Sequence, residues 1–239
     1  MSNQKLYGKI PLFVQGDAED LILKKLIQYL QSNDLDMNTV IAYGTAFVSL
    51  DPSETGQLKM DKVFVACQNK SLTTLDIPAL LSAQEECDGF YPQEGDVISD
   101  FRQSDSEELM RIFETRLNNS HFSEFNIAYD YAQASLFLDP FNYKANRYYM
   151  LCLHAFKEMQ EAEKHVDKIA GAGLSPLYSA TLKIEHAIAT QNSEALRFGL
   201  MLACIARKSA RPEEKEAFRV VEEKFDMPAM PAFNFDGRM

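Results

Sequence analysis

Apolar residues recur at helical spacing along most of the second half of the chain. Between Ser104 and Asp226 they form runs broken by short polar, glycine or proline segments. The breaks place the helix ends. Ser104-Asp105-Ser106 followed by Glu107-Glu108 has the capping residues and acids of a helix start. Asp139-Pro140 stops a second helix, and Gly171-Ala172-Gly173 ends a fourth with a left-handed glycine cap. Ser175-Pro176 opens the fifth as N-cap and first helical residue. Thr190-Gln191-Asn192-Ser193 is a tight turn, and Arg211-Pro212-Glu213-Glu214 opens the last helix. The pattern predicts roughly seven helices joined as antiparallel hairpins.

The first hundred residues are less regular. Asp17 to Gln31 reads as an amphipathic helix with Leu21, Leu23, Leu26, Ile27 and Leu30 apolar. Asp36 to Leu50 has local strand character at Thr39-Val40-Ile41 and Ala46-Phe47-Val48. Yet Ala42-Tyr43, Ala46 and Ser49-Leu50 repeat the spacing of Ala128-Tyr129, Ala132 and Ser135-Leu136, and both runs reach Asp-Pro soon after. A helix, as part of a diverged repeat, is the favoured reading. Residues 58–68 fit helix or strand. From Glu85 to Glu108 nine acids face only Arg102, with Pro92 and two glycines, so residues 85–108 read as an acidic linker or loop. The tail, residues 227–239, has two prolines and no helical period, and is expected to be extended or disordered; its three methionines and two phenylalanines are unusual for a solvated end. Three regions result: an N-terminal segment over 1–100, a repeat domain over 104–226 and the tail.

Charge and composition narrow the function classes. Lysine plus arginine number 24 against 35 acids, a net charge of −11. That balance disfavours nucleic acid, which requires a basic face, and anionic lipid. No stretch approaches a membrane-spanning length of apolar residues. The start of the chain has neither a long apolar region nor a small-residue cleavage site, so a cytoplasmic location is expected. Cys67, Cys87, Cys152 and Cys204 are widely spaced and read as reduced thiols.

Catalytic signatures are missing. No phosphate-cradling Gly-x-x-x-x-Gly-Lys, dinucleotide-binding Gly-x-Gly-x-x-Gly or zinc-holding His-Glu-x-x-His occurs. His121, His154, His165 and His186 have no cysteine or carboxylate spacing to complete a metal site, and are expected to be solvated or capping. Glu161 and Glu163 point to different helix faces and read as solvated surface. The expectation is a non-enzyme without cofactor or metal.

A repeat period supplies the positive evidence. Ala128 and Ala162 are 34 residues apart, and Ala195 follows 33 later, each early in the second helix of a hairpin. This period and placement resemble the tetratricopeptide repeat, in which a small residue lets two helices approach. The best copy runs from Tyr143 to Leu174, with Tyr149, Leu153, Met159, Ala162, Val166 and Ile169 on apolar positions. Asn146 stands where the repeat has tryptophan, and Met150 where it has a small residue. The expected fold is all-α, a right-handed solenoid of tetratricopeptide-like hairpins behind a mostly helical N-terminal segment.

Residues 104–226 further resemble the translocator chaperones of bacterial type III secretion. The likeness lies in three hairpins after an acidic lead-in, Leu138-Asp-Pro-Phe-Asn142 ending the first, Lys157-Glu-Met-Gln-Glu-Ala162 in the second and Ser-Pro-Leu-Tyr (175–178) opening the third. It covers about half the chain and leaves residues 1–100 unexplained. It implies a cytoplasmic, acidic, often dimeric chaperone with a role in virulence, holding an extended segment of a secreted protein. Counting repeat positions puts Lys144, Arg147, Leu151, His154, Leu177, Ala180 and Ile184 on the concave face, with Met110, Phe113 and Leu117 added from the first hairpin. Packing against neighbouring helices competes with groove lining at each of these positions. The partner is therefore a protein or peptide. The alternative function is a regulatory module of a bacterial transcription or signalling system, with residues 1–100 as a degenerate winged helix; the acidic charge opposes it.

Overall fold

The computed structural model describes residues 13–30, 37–50, 98–119 and 125–224. Among them all regular structure is helical: α1 (Phe13–Leu30), α2 (Met37–Leu50), α3 (Asp100–Asn119), α4 (Phe125–Leu138), α5 (Tyr143–Ala155), α6 (Met159–Ala172), α7 (Pro176–Ala189), α8 (Ser193–Ala206) and α9 (Pro212–Lys224). The all-α expectation holds, and seven helices lie between Asp100 and Lys224. Residues 58–68, most of the acidic stretch, His121, Cys67, Cys87 and the tail lie outside the described residues.

Most helix ends fall where punctuation placed them. Gly173 adopts φ 120°, a conformation that favours glycine, and its N–H returns to the Ile169 carbonyl to close α6. Pro176 is in the first turn of α7. The Asn192 side chain accepts the Ala195 N–H at 3.0 Å and caps α8.

The start of α3 departs from expectation. The helix begins at Asp100, so Ser104-Asp105-Ser106 is interior helix and not a cap, and residues 100–108 belong to a helix rather than to a linker. The three polar residues mislead because two serve tertiary contacts. Tyr43 donates to Asp105 Oδ2 at 2.5 Å, and Lys25 pairs with Asp105 Oδ1 at 2.8 Å.

The chain divides into two compact units, Met1–Tyr149 and Met150–Met239, with the boundary inside α5. In the first unit α1 packs on α2, α2 on α4, α3 on α4, and α1 touches α3. The two runs of matching sequence are thus neighbouring helices, and both bury their alanines: Ala42, Ala46, Ala128 and Ala132. Tyr29, Tyr43 and Phe101 stack with ring centres 5.7–6.5 Å apart and join α1, α2 and α3.

Helices α3 and α4 are held together by a buried polar clasp. Ser106 Oγ and Ser135 Oγ are 2.6 Å apart, and each hydroxyl also reaches the other residue's carbonyl oxygen, at 2.9 and 3.1 Å. Asn142 Nδ2 donates to Ser106 Oγ, while Asn142 Oδ1 accepts the Ala145 N–H at the start of α5. Asn146 is buried and donates to the carbonyls of Pro140 and Asn142. Arg102 binds the carbonyls of Phe137 and Leu138, satisfying the C-terminal end of α4.

In the second unit α7 packs against α6, α8 and α9. Its core joins Leu177, Ala180 and Ile184 of α7 to Ala203 and Ala206 of α8 and Phe218 and Val221 of α9. Helices α7 and α8 approach closely at Gly199: a Cβ there would sit 2.8 Å from Ile184 Cγ1 and 3.4 Å from the Ile184 backbone nitrogen. Ala195, expected at the close contact, is half-buried; the contact lies one turn further along α8.

Candidate partner-binding surfaces

Burial separates the ten expected groove residues into two sets. Met110 and Phe113 are core residues of the first unit: Met110 has no exposed surface, and the Phe113 ring lies 5.6 Å from Tyr131 and 4.9 Å from Tyr148. Leu177, Ala180 and Ile184 are core residues of the second unit, enclosed with Phe218 and Val221 of α9. All five are buried rather than open to solvent. Counting repeat positions treats the inner side of a helix as open, whereas the following packed helices close it.

The other five keep accessible surface. Leu117 and Lys144 are exposed, and Lys144 Nζ pairs with Glu114 at 2.6 Å. Arg147, Leu151 and His154 are half-buried. On α5 Lys144, Arg147, Leu151 and His154 follow helical spacing, so Leu151 sits between Arg147 and His154 along one stripe of that helix.

Solvated or capping histidines were expected; of the three described, His165 is buried and His154 and His186 are half-buried. His154 Nε2 and His186 Nδ1 are 2.9 Å apart, joining α5 to α7 within the second unit. Burial lowers the pKa of both; the charge of each Glu185 and His186 neighbour also acts on His154, the carboxylate raising and the imidazole lowering it, while Glu163 and Asp167 raise that of His186. His165 is almost fully enclosed in α6, and burial pushes its pKa down to about 4. Glu161 and Glu163 are exposed as expected, Glu161 pairing with Lys164 at 2.7 Å.

Two further features were not singled out from sequence. Leu21, Lys25, Ser104, Asp105, Glu107, Glu108 and Arg111 line an open cleft of about 450 Å³ between α1 and α3. On α8, Phe198, Met201 and Ile205 are 50%, 50% and 58% exposed. Their spacing places them on one side of a helix whose opposite side already buries Gly199, Ala203 and Ala206. The signal was present in the sequence as an excess of apolar residues, more than one buried face of a fourteen-residue helix can hold.

Among the described residues no three histidine, cysteine or carboxylate side chains gather as metal ligands, and no helix is long and apolar enough to cross a membrane. Cys152 is buried and Cys204 half-buried, both as free thiols. Comparison with protein-family models, with curated proteins and with solved structures gives no match.

Proposed function

We propose that this is a non-enzymatic protein-binding protein built from tetratricopeptide-like hairpins, acting as a chaperone or adaptor that holds an extended peptide segment of a partner. The observation that carries this reading is the setting of α7, which packs on the preceding helix α6, on its hairpin partner α8 and on the following helix α9. A first helix in a stack of hairpins has these three neighbours. The packing of α2 on α4, with matching runs of sequence, supports a diverged hairpin in the N-terminal segment.

Leu151 supplies an apolar anchor point, with Lys144, Arg147 and His154 on the same stripe of α5 to meet acidic or polar groups of the peptide. A secretion chaperone in the cytoplasm of a bacterium is the subtype favoured by the resemblance of residues 104–226. Holding an aggregation-prone segment in this way keeps it soluble until release.

Selection of displayed random peptides on the immobilised full chain tests the proposal. Enrichment of sequences with apolar anchors and acids is expected, with binding lost when Arg147→Glu and Leu151→Asp are combined. Failure to enrich any peptide, or binding indifferent to the double substitution in a folded protein, overturns it.

A further inference from the structure

We infer that the exposed stripe of α8 is a self-association surface, on which α8 of a second copy of this chain packs antiparallel. Phe198, Met201 and Ile205 are each at least half exposed. They are spaced by three and then four residues. Glu194, four residues before Phe198, and Lys208, three after Ile205, continue that alternation and are also exposed. Arg207 keeps helical backbone angles, φ −57° and ψ −26°, so Lys208 follows directly on the last turn. Alternation of threes and fours keeps side chains on one line of a helix, and apolar lines of this kind pair two helices along a seam.

The seam is apolar in the middle and oppositely charged at its ends, and this specifies the occupant. Met201 lies seven residues from both Glu194 and Lys208, about 10 Å along the axis in each direction. A two-fold axis through Met201 therefore sets Met201 on Met201, and Glu194 of each copy beside Lys208 of the other. Phe198 and Ile205, about 4.5 Å and about 6 Å from that axis, then face each other across it. Arg197, the other charge beside the seam, comes opposite the Cys204 thiol. A parallel arrangement sets Glu194 against Glu194 and Lys208 against Lys208, and like charges oppose it at both ends.

Among the described residues neither Glu194 nor Lys208 is engaged in an ion pair, so both are available to the second copy. The opposite side of α8 is already occupied: Gly199 meets Ile184 of α7, and Ala203 and Ala206 join the core with α7 and α9. Pairing through the seam thus leaves the packing of the second unit as it is. The surface is small beside the roughly 20–30 residues per side of a stable dimer, and suits a reversible one. It lies on a different helix from the α5 stripe of the proposed function and does not depend on that reading.

Sedimentation velocity of the full chain tests the inference. The parent is expected to be a reversible dimer at micromolar concentrations. Met201→Glu brings two carboxylates together on the axis and should weaken association at least about thirtyfold. Its thermal midpoint should be unchanged, because the Met201 side chain is half exposed. Glu194→Lys or Lys208→Glu alone should weaken association about fivefold, since two attractions become two repulsions. The two together should restore the parental value. Within each helix the double reversal opposes the macrodipole at both ends, so recovery reports contact between copies rather than a local effect. A parent that is monomeric at about 100 µM, a dimer indifferent to Met201→Glu, or a double reversal as weak as the single ones overturns the assignment.

Discussion

His154 on α5 and His186 on α7 meet through Nε2 and Nδ1 at 2.9 Å, so at most one of the two nitrogens carries the shared proton. Burial lowers both pKa values from 6.5, against opposing carboxylates at Glu185, Glu163 and Asp167. A folded-state pKa below the unfolded one gives stability that is present above pH 6.5 and lost as pH falls below it. Thermal midpoints between pH 7.5 and pH 5 should therefore fall less in His186→Gln than in the parent chain. Parallel decline of both would show that the pair does not contribute.

His165 follows the same sign with a larger span. Its contribution is complete above 6.5 and disappears as pH falls through about 4. The full linkage is about 3 kcal/mol. In His165→Leu the loss of stability between pH 7 and pH 4.5 should be smaller, as read by urea denaturation at each pH.

Asp130 has the opposite sign. It is half-buried on α4, and burial raises its pKa from 3.8 to about 6. A raised carboxylate pKa costs stability as pH rises through that interval. Discounted for its half-exposed position, the cost is about 1 kcal/mol at neutral pH. Asp130→Asn should stabilise the protein by about that amount at pH 7 and by nothing below pH 3.5, measured by denaturant midpoints.

Gly199 allows the approach of α8 to α7. Gly199→Leu must displace Ile184 on both side chain and backbone, and should cost about 3 kcal/mol. Gly199→Ala is milder, because the helix propensity of alanine offsets about 1 kcal/mol of the clash. Equal stability of Gly199→Leu and the parent in thermal melts would contradict the observed contact.

The Ser106–Ser135 clasp is a cooperative unit. Ser106→Ala removes the acceptor of Asn142 Nδ2 as well as the partner of Ser135, and should cost about 2 kcal/mol. A double-mutant cycle with Ser135→Ala should show coupling above about 0.5 kcal/mol.

These contacts explain what was legible in the sequence. Helix boundaries marked by Gly173, Pro176, Asn192 and Pro212 could be read because their cause is local. The start of α3 could not, because Asp105 bonds Tyr43, 62 residues away, and Ser106 bonds Ser135, 29 residues away. Nothing beside those residues separates a cap from a buried clasp. Helical spacing identified Leu177, Ala180 and Ile184 as one face, but α9 decides that this face is core. His154 and His186 meet across 32 residues of sequence, and histidine at those positions carries no local signal of a pair.

The proposed function depends on helical hairpins packed through small residues, and Ala162 is wholly buried on α6. Ala162→Trp measures this most directly, by thermal unfolding followed in far-ultraviolet circular dichroism. The prediction is a loss of at least about 3 kcal/mol, seen as a midpoint lowered by many degrees, because the larger ring must force its neighbours apart. A midpoint within about 2 °C of the parent would contradict the packing on which the proposed function depends.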